Sequence, residues 1–138
     1  MAFEALGGKY QLMVGAVTID AVDAGALAAW WAEMLGVEMR ALDDPPTYVV
    51  LPGQDTGGIQ LGFQQVPEPK QGKVRIHLDL IAFDLDEAQR AIEAKGGRFI
   101  AEHDWHDKHH WRVMADPEGN EFCVVLVQRP KRDDDAAS

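Results

Sequence analysis

The chain carries the same order of secondary-structure signals twice, and this repetition limits the possible folds more than any other feature. Residues 12–20 are mostly apolar or β-branched and predict a strand, after which apolar side chains recur with helical spacing up to Gly36. The second half repeats this order, and Ala16 and Gly36 are separated by the same number of residues as His77 and Gly97. Few residues are identical between the halves, so the repeat is one of pattern.

The first half predicts a βαβββ module over about residues 11–66, which we call module 1. Asp23 is placed to cap the start of its helix, and Gly36 is placed to end it. A segment rich in Pro, Gln and Lys, residues 66–72, is the predicted linker to the second half. After the helix, strands are predicted at residues 37–41, 47–51 and 59–66.

The second half predicts another βαβββ module over about residues 73–128, module 2. Asp84 and Glu87 have the spacing of a capping box, and two glycines end the helix. We expect one domain over residues 1–130 and a disordered tail at 131–138. Strands are predicted at residues 73–83, 98–102, 111–115 and 121–128.

Composition narrows the classes of partner. The formal net charge is −10, from 23 acidic and 13 basic residues, and such a charge repels phosphate backbones and anionic lipid headgroups. We therefore expect neither nucleic acid nor a membrane as partner. The N-terminus lacks a signal-peptide pattern, and Cys123 is the single cysteine, so the sequence favours a cytoplasmic protein without an internal disulfide.

Two motifs add a family resemblance to this repeat. Residues 30–36 read WWAEMLG at the end of the first helix, and residues 116–120 read DPEGN between the last two predicted strands. With the tandem modules, they resemble the vicinal-oxygen-chelate superfamily, which includes glyoxalase I, extradiol dioxygenases, fosfomycin-resistance enzymes and bleomycin-binding proteins. The resemblance implies an α+β fold in which two βαβββ modules form a cupped mixed β-sheet with flanking helices, and it implies a homodimer.

The resemblance also places the family's metal ligands at Ala16, Gln60, His77 and Cys123. Ala16 has no donor atom and an amide oxygen is a weak ligand, whereas the family's chemistry needs an oxygen-rich site for a Lewis-acid ion. We therefore predict no metal and no cofactor. The alternative is a divalent ion such as zinc at His77, Glu121 and Cys123, because alternation puts the last two residues on one strand face.

His77 and Asp79 are the predicted catalytic residues, since alternation places them on one face of a strand. His77 would bind substrate or carry a proton while Asp79 orients its ring. The other interpretation is structural, with the two side chains satisfying each other's hydrogen bonds. For Cys123, which lies in an apolar strand, packing is favoured over a role as ligand or nucleophile.

Residues 102–111 read EHDWHDKHHW and contain four of the five histidines. We predict a solvated loop, with metal binding as the alternative, and Trp105 as the residue that covers a ligand. Trp111 and Phe63 are predicted to edge an apolar cleft suited to a flat or aromatic ligand. The full set of predicted ligand contacts is Gln60, Phe63, His77, Trp105, Trp111, Glu121 and Cys123.

Three functions follow from these features. The first is binding of a small hydrophobic or aromatic molecule without the usual metal site, as in sequestration or antibiotic resistance. The second is a metal-dependent lyase, isomerase or thiol-transferase of the glyoxalase or fosfomycin-resistance type. The third is metal-free acid–base catalysis by His77 and Asp79.

Overall fold

The computed structural model describes residue 9 and residues 14–129, and its chain divides into two compact units, Met1–Pro69 and Lys70–Ser138. The division falls inside the predicted linker, so we keep the names module 1 and module 2 for the two units. The tail predicted at residues 131–138 lies outside the described residues. Within the described part, no helix is long and apolar enough to cross a membrane.

Module 1 contains one four-stranded sheet with the strand order β1-β4-β3-β2. β1 runs parallel to β4, and the other neighbours are antiparallel. The loop predicted between the last two strands of the module contains a short helix, α2, because its backbone closes one turn before Gly57. The elements are β1 (Ala16–Ala21), α1 (Ala24–Leu35), β2 (Arg40–Ala41), β3 (Tyr48–Leu51), α2 (Gly53–Thr56) and β4 (Gln60–Gln65).

Helix α1 begins and ends where the sequence predicts. The Asp23 side chain accepts a hydrogen bond from the Ala26 N–H at 3.0 Å, and Gly36 ends the helix in the left-handed conformation with φ 68°. Leu27 and Trp31 are fully buried, and α1 packs on β3 and β4. The apolar stripe in the sequence is therefore the face that covers the sheet.

The start of α1 is also tied to the far end of β4. The Gln65 side-chain oxygen accepts a hydrogen bond from the Ala24 N–H at 2.8 Å, and its amide nitrogen donates to the Val22 carbonyl. Gln65 thus satisfies one of the free N–H groups at the helix N-terminus. This contact joins residues far apart in sequence, and the local capping pattern does not predict it.

Module 2 repeats the topology with the strand order β5-β8-β7-β6, in which β5 is parallel to β8. The predicted fold of two βαβββ units is confirmed. The Asp84 side chain caps α3 by accepting from the Glu87 N–H at 3.0 Å, as predicted. The elements are β5 (Asp79–Ala82), α3 (Leu85–Ala94), β6 (Arg98–Trp105), β7 (His109–Ala115) and β8 (Glu121–Leu126).

The first strand of module 2 is shorter than predicted. Pairing with β8 begins at Asp79, opposite Cys123, and before it the Leu78 carbonyl accepts one hydrogen bond from the Cys123 N–H at 2.9 Å. His77 therefore lies in the segment that leads into β5. The prediction of a strand from residue 73 is wrong, because in this register residues 73–76 would lie opposite the turn that precedes β8, where no strand is available to pair with them.

The histidine-rich segment is a β-hairpin, which corrects the prediction of a loop. β6 and β7 pair up to Trp105 opposite His109, and the turn has positive φ at His106 and Asp107 (53° and 55°). Such a turn twists with the strands it joins. The Asp104 side chain accepts from the Asp107 N–H at 3.0 Å, and the stacked Trp105 and His109 rings form a cross-strand pair that favours strand over loop.

The turn between β7 and β8 is organised by Asp116, a buried residue with 1% exposure. One carboxylate oxygen accepts hydrogen bonds from the Glu118 and Asn120 N–H groups at 3.0 and 2.9 Å. The other accepts from the Asn120 side-chain amide at 2.9 Å. Asp116 therefore fixes the position at which β8 begins, and with it the residues that β8 presents to its neighbours.

Replacing Asp116 by alanine should lower the free energy of unfolding by about 2–3 kcal/mol, because buried N–H groups lose a charged acceptor. Urea denaturation followed by circular dichroism measures this. The matched control is Asp55→Ala, at an exposed aspartate of α2, which should change stability by no more than about 0.5 kcal/mol. Equal effects of the two substitutions would contradict this role for Asp116.

Candidate functional site

Module 2 contains a cavity of about 500 Å³ on the sheet face opposite α3. Arg112 points towards the helix, where it contacts Asp86 at 2.8 Å, so its strand neighbours Trp111 and Val113 face the other way. These two side chains and Val125 form the apolar part of the cavity wall. The polar residues of the wall are Lys73, His77, Asp79, Glu121 and Cys123.

His77 and Asp79 contact each other in this cavity, with 3.3 Å between His77 Nε2 and Asp79 Oδ1. The His77 side chain is 51% exposed and that of Asp79 is 63% exposed, so both are open to a ligand. A neutral His77 that donates from Nε2 to Asp79 keeps Nδ1 free to accept a proton, as a general base must. The geometry allows the predicted catalytic roles, which stay predictions.

Cys123 is buried directly opposite Asp79 on the neighbouring strand. Burial raises the pKa of its thiol above the usual value, and the charge of Asp79 with the hydrogen bond to Asp79 raises it further. The charge of Glu121 acts in the same direction. Because nucleophilic attack requires the thiolate, this environment disfavours Cys123 as a nucleophile in the free protein.

Glu121 lies on the same face of β8 as Cys123, as predicted, but its carboxylate is already engaged. Lys73 Nζ lies 2.7 Å from Glu121 Oε2. The hydrogen bond from Lys73 lowers the pKa of the Glu121 carboxyl, although burial opposes the shift. Both residues line the cavity, and a ligand of Glu121 would have to compete with the Lys73 ammonium group.

Four rings lie on one face of the hairpin of β6 and β7, and one of them, Trp111, belongs to the cavity wall. Trp111 stacks on His103 with 5.3 Å between ring centroids, and Trp105 stacks on His109 at 5.5 Å. Register places each pair directly across the two strands on one sheet face. Trp111 lines the cavity, whereas Trp105 lies two residue pairs further out, at the hairpin tip, and is 54% exposed. The covering role predicted for Trp105 stays a prediction.

In module 1 the equivalent positions hold a different arrangement. Thr18 pairs with Gly62 in the parallel register of β1 and β4, as Asp79 pairs with Cys123 in module 2. The Tyr48 hydroxyl is hydrogen-bonded to Thr18 Oγ1 at 3.1 Å, and a Cβ at Gly62 would overlap it. Tyr48 therefore occupies the space that a side chain at position 62 would need.

The register also corrects the predicted ligand set. Gly62, not Gln60, is the equivalent of Cys123, and Gln60 instead pairs with Ala16. The predicted position differs by two residues because the loop before β4 contains the helix α2, which the sequence pattern did not predict. Positions 16 and 62 are alanine and glycine, so module 1 offers no donor there, and these residues do not fit the family's oxygen-rich metal site.

Phe63 is fully buried in module 1, in contrast to the predicted ligand contact. Alternation along β4 places Leu61 and Phe63 on the side that α1 covers. Gln60 is half-buried, and its predicted contact with a ligand stays a prediction.

Sequence reasoning missed several residues of the cavity wall in module 2. Val113 and Val125 share the face of Trp111 and Cys123, so strict alternation along β7 and β8 identifies them. Lys73 lies in a polar segment before the sheet, where no pattern marks it as the partner of a residue in β8. Its contact becomes visible only in the folded chain.

Replacing Asp79 by asparagine should lower the pKa of the Cys123 thiol, because the negative charge beside it is removed and the new amide N–H can donate a hydrogen bond to the thiolate. At pH 8 the thiolate fraction rises, so alkylation by iodoacetamide should become severalfold faster. Mass spectrometry of timed samples gives the rate. Asp55→Asn, in module 1, is the control, and an unchanged rate in Asp79→Asn would contradict the assigned cause.

The comparisons with known proteins agree with this architecture. Residues 16–125 match the family model of the glyoxalase-like domain. No curated protein sequence matches the chain. Among solved structures, a glyoxalase/bleomycin resistance protein/dioxygenase family enzyme from Burkholderia phytofirmans PsJN aligns with a TM-score of 0.66 and 19% identity, covering 82% of this chain and 97% of that one.

Two further structures share the fold at low identity. Lactoylglutathione lyase from Agrobacterium tumefaciens has a TM-score of 0.59 and 21% identity, over 83% of this chain and 92% of that one. A bleomycin resistance determinant encoded on transposon Tn5 has a TM-score of 0.59 and 18% identity, over 86% of this chain and all (100%) of that one. Because the family model spans both modules, the chain belongs to the glyoxalase-like domain family within the vicinal-oxygen-chelate superfamily.

Proposed function

We propose that this protein binds a small, flat or aromatic molecule in the cavity of module 2, without the usual metal site of its superfamily. The observation that carries the proposal is the cavity itself, whose volume of about 500 Å³ suits a small organic molecule. It combines one aromatic wall with a few polar groups at the other end, which is the usual composition of such sites.

The aromatic wall is Trp111, supported from the neighbouring strand by the stacked His103 ring. A planar ligand lying against the indole gains a large contact area and loses little conformational entropy. Val113 and Val125 extend the apolar surface beside it. At the other end, His77 and Asp79 offer hydrogen bonds that would fix the orientation of a ligand's polar edge.

The donor set favours binding over metal-dependent lyase, isomerase or thiol-transferase chemistry. That chemistry needs a Lewis-acid ion in an oxygen-rich site, and positions 16 and 62 carry no donor atom. Among the structural relatives, the bleomycin resistance determinant encoded on transposon Tn5 has a name that fits a binding role of this kind. The residues of this cavity therefore fit a sequestration or resistance function better than metal-dependent chemistry.

We further propose, from the superfamily resemblance, that the protein works as a homodimer in the cytoplasm and contributes to antibiotic resistance. Sedimentation equilibrium on the full chain tests the dimer. Growth of bacteria expressing the chain on medium with bleomycin tests the resistance role.

Replacing Trp111 by leucine should weaken binding of an aromatic ligand at least tenfold, because stacking and buried ring area together contribute about 1.5 kcal/mol or more. Isothermal titration with bleomycin, and then with a panel of planar aromatic natural products, measures the affinity. EDTA in the buffer keeps this test separate from metal binding.

Trp105→Leu is the matched comparison: Trp105 lies on the same sheet face outside the cavity wall, so its variant tests the predicted covering role separately from the wall. It should change the affinity much less than Trp111→Leu. A ligand that loses affinity only with Trp105→Leu would move the binding site to the hairpin tip and contradict the proposal.

A further inference from the structure

We propose that His77, Asp79 and Cys123 form a binding site for a borderline-soft divalent ion, Zn²⁺ being the best match, built wholly within module 2. A nitrogen, a carboxylate oxygen and a sulfur of these residues all lie within 4.8 Å of one another. The superfamily site described above would draw on both modules, whereas this set needs only one. The inference does not depend on which organic molecule the cavity binds.

Backbone pairing brings these three groups together. Asp79 and Cys123 are direct partners in the parallel register of β5 and β8, and the Cys123 N–H donates to the Leu78 carbonyl at 2.9 Å. His77 lies in the segment that leads into β5, and its Nε2 atom is 3.3 Å from Asp79 Oδ1. The sheet therefore holds the Cα atoms of Asp79 and Cys123 in place, with His77 two residues before the first pair, which distinguishes the set from a chance cluster of surface acids.

The chemistry of the set selects the ion. Imidazole nitrogen, carboxylate oxygen and thiolate sulfur are all good ligands for Zn²⁺, and three protein ligands with one open position is the usual form of a zinc site that binds a further molecule. A thiolate is a poor ligand for Mg²⁺ or Ca²⁺. The residue types thus favour zinc, or cobalt as its spectroscopic substitute.

The distances require only side-chain rotation. Tetrahedral zinc with ordinary bond lengths needs ligand atoms roughly 3.5 Å apart, so the set must close by about 1 Å. His77 and Asp79 are exposed and can rotate without disturbing the core. Cys123 is buried and provides the fixed member of the set.

This assignment replaces Glu121 of the predicted zinc set with Asp79. The Glu121 carboxylate is paired with the Lys73 ammonium group at 2.7 Å, and a cation at Glu121 would have to displace Lys73. Asp79 faces both other ligands directly. The difference between the two carboxylates gives the inference a sharp test.

An ion held by His77, Asp79 and Cys123 would lie at the wall of the cavity that Trp111 also lines. A bound molecule would then gain affinity from an oxygen, nitrogen or sulfur donor placed next to its aromatic ring. The ligand class becomes an aromatic molecule with a metal-binding group.

Titration of the reduced, tag-free protein with Co²⁺ tests the site. We expect one Co²⁺ per chain and the charge-transfer absorption of a cobalt–thiolate bond, which Zn²⁺ should abolish by displacement because zinc binds more tightly. Folding is checked by near-ultraviolet circular dichroism. A folded wild-type protein that takes up no Co²⁺, or that binds it without the charge-transfer band, would overturn the inference.

Single substitutions assign the ligands. Cys123→Ser should abolish the charge-transfer band, and Asp79→Asn should weaken Co²⁺ binding by more than the roughly 10- to 100-fold typical of an outer-sphere change. His106→Asn, in the exposed hairpin turn, is the matched histidine control and should change neither. Cys123 is buried, so Cys123→Ser could fail to fold. Asp79 is exposed, and Asp79→Asn is therefore expected to fold and to test the ligand set in that case too.

Glu121→Gln decides between the two carboxylates. We expect it to leave the Co²⁺ affinity within severalfold of wild type. Loss of binding in Glu121→Gln with retention in Asp79→Asn would overturn the proposed set.

Discussion

The parallel pairing of the first and last strand of each module is the constraint on which the rest of the structure depends. Parallel neighbours cannot be joined by a tight hairpin and need a longer crossover. In each module a helix and two further strands form this crossover, which gives the βαβββ order. The pairing also fixes which residues face each other. Thr18 lies opposite Gly62 in module 1, and Asp79 lies opposite Cys123 in module 2.

These equivalent positions have different side chains, and the difference gives the modules different properties. In module 1, glycine at position 62 lets the Tyr48 ring cover the sheet, where it bonds to Thr18. In module 2, a carboxylate and a thiol occupy the corresponding pair, next to a cavity of about 500 Å³. The same backbone therefore supports a tyrosine packed over the strand pair in one module and a cavity with polar groups in the other.

The same cavity residues underlie both proposals, the binding of an aromatic molecule and the zinc site. An aromatic wall and a small polar cluster suit an organic molecule, and the same cluster has the donors of a zinc site. Metal binding would use His77 and Asp79 as ligands, and would then exclude the acid–base role predicted for this pair. Positions 16 and 62 of module 1 carry no ligand atom, and the three residues of the proposed zinc set all belong to module 2.

By itself the sequence determined the features that rest on local chemistry: the caps at Asp23 and Asp84, the repeated module, and the family through the DPEGN turn. Only the tertiary structure decided which distant residues meet. It paired Glu121 with Lys73, left Asp79 beside Cys123, and formed a hairpin from the histidine-rich segment through ring stacking across strands. Capping and turn formation involve neighbours in the chain, whereas strand register depends on loop lengths and on packing of the whole module.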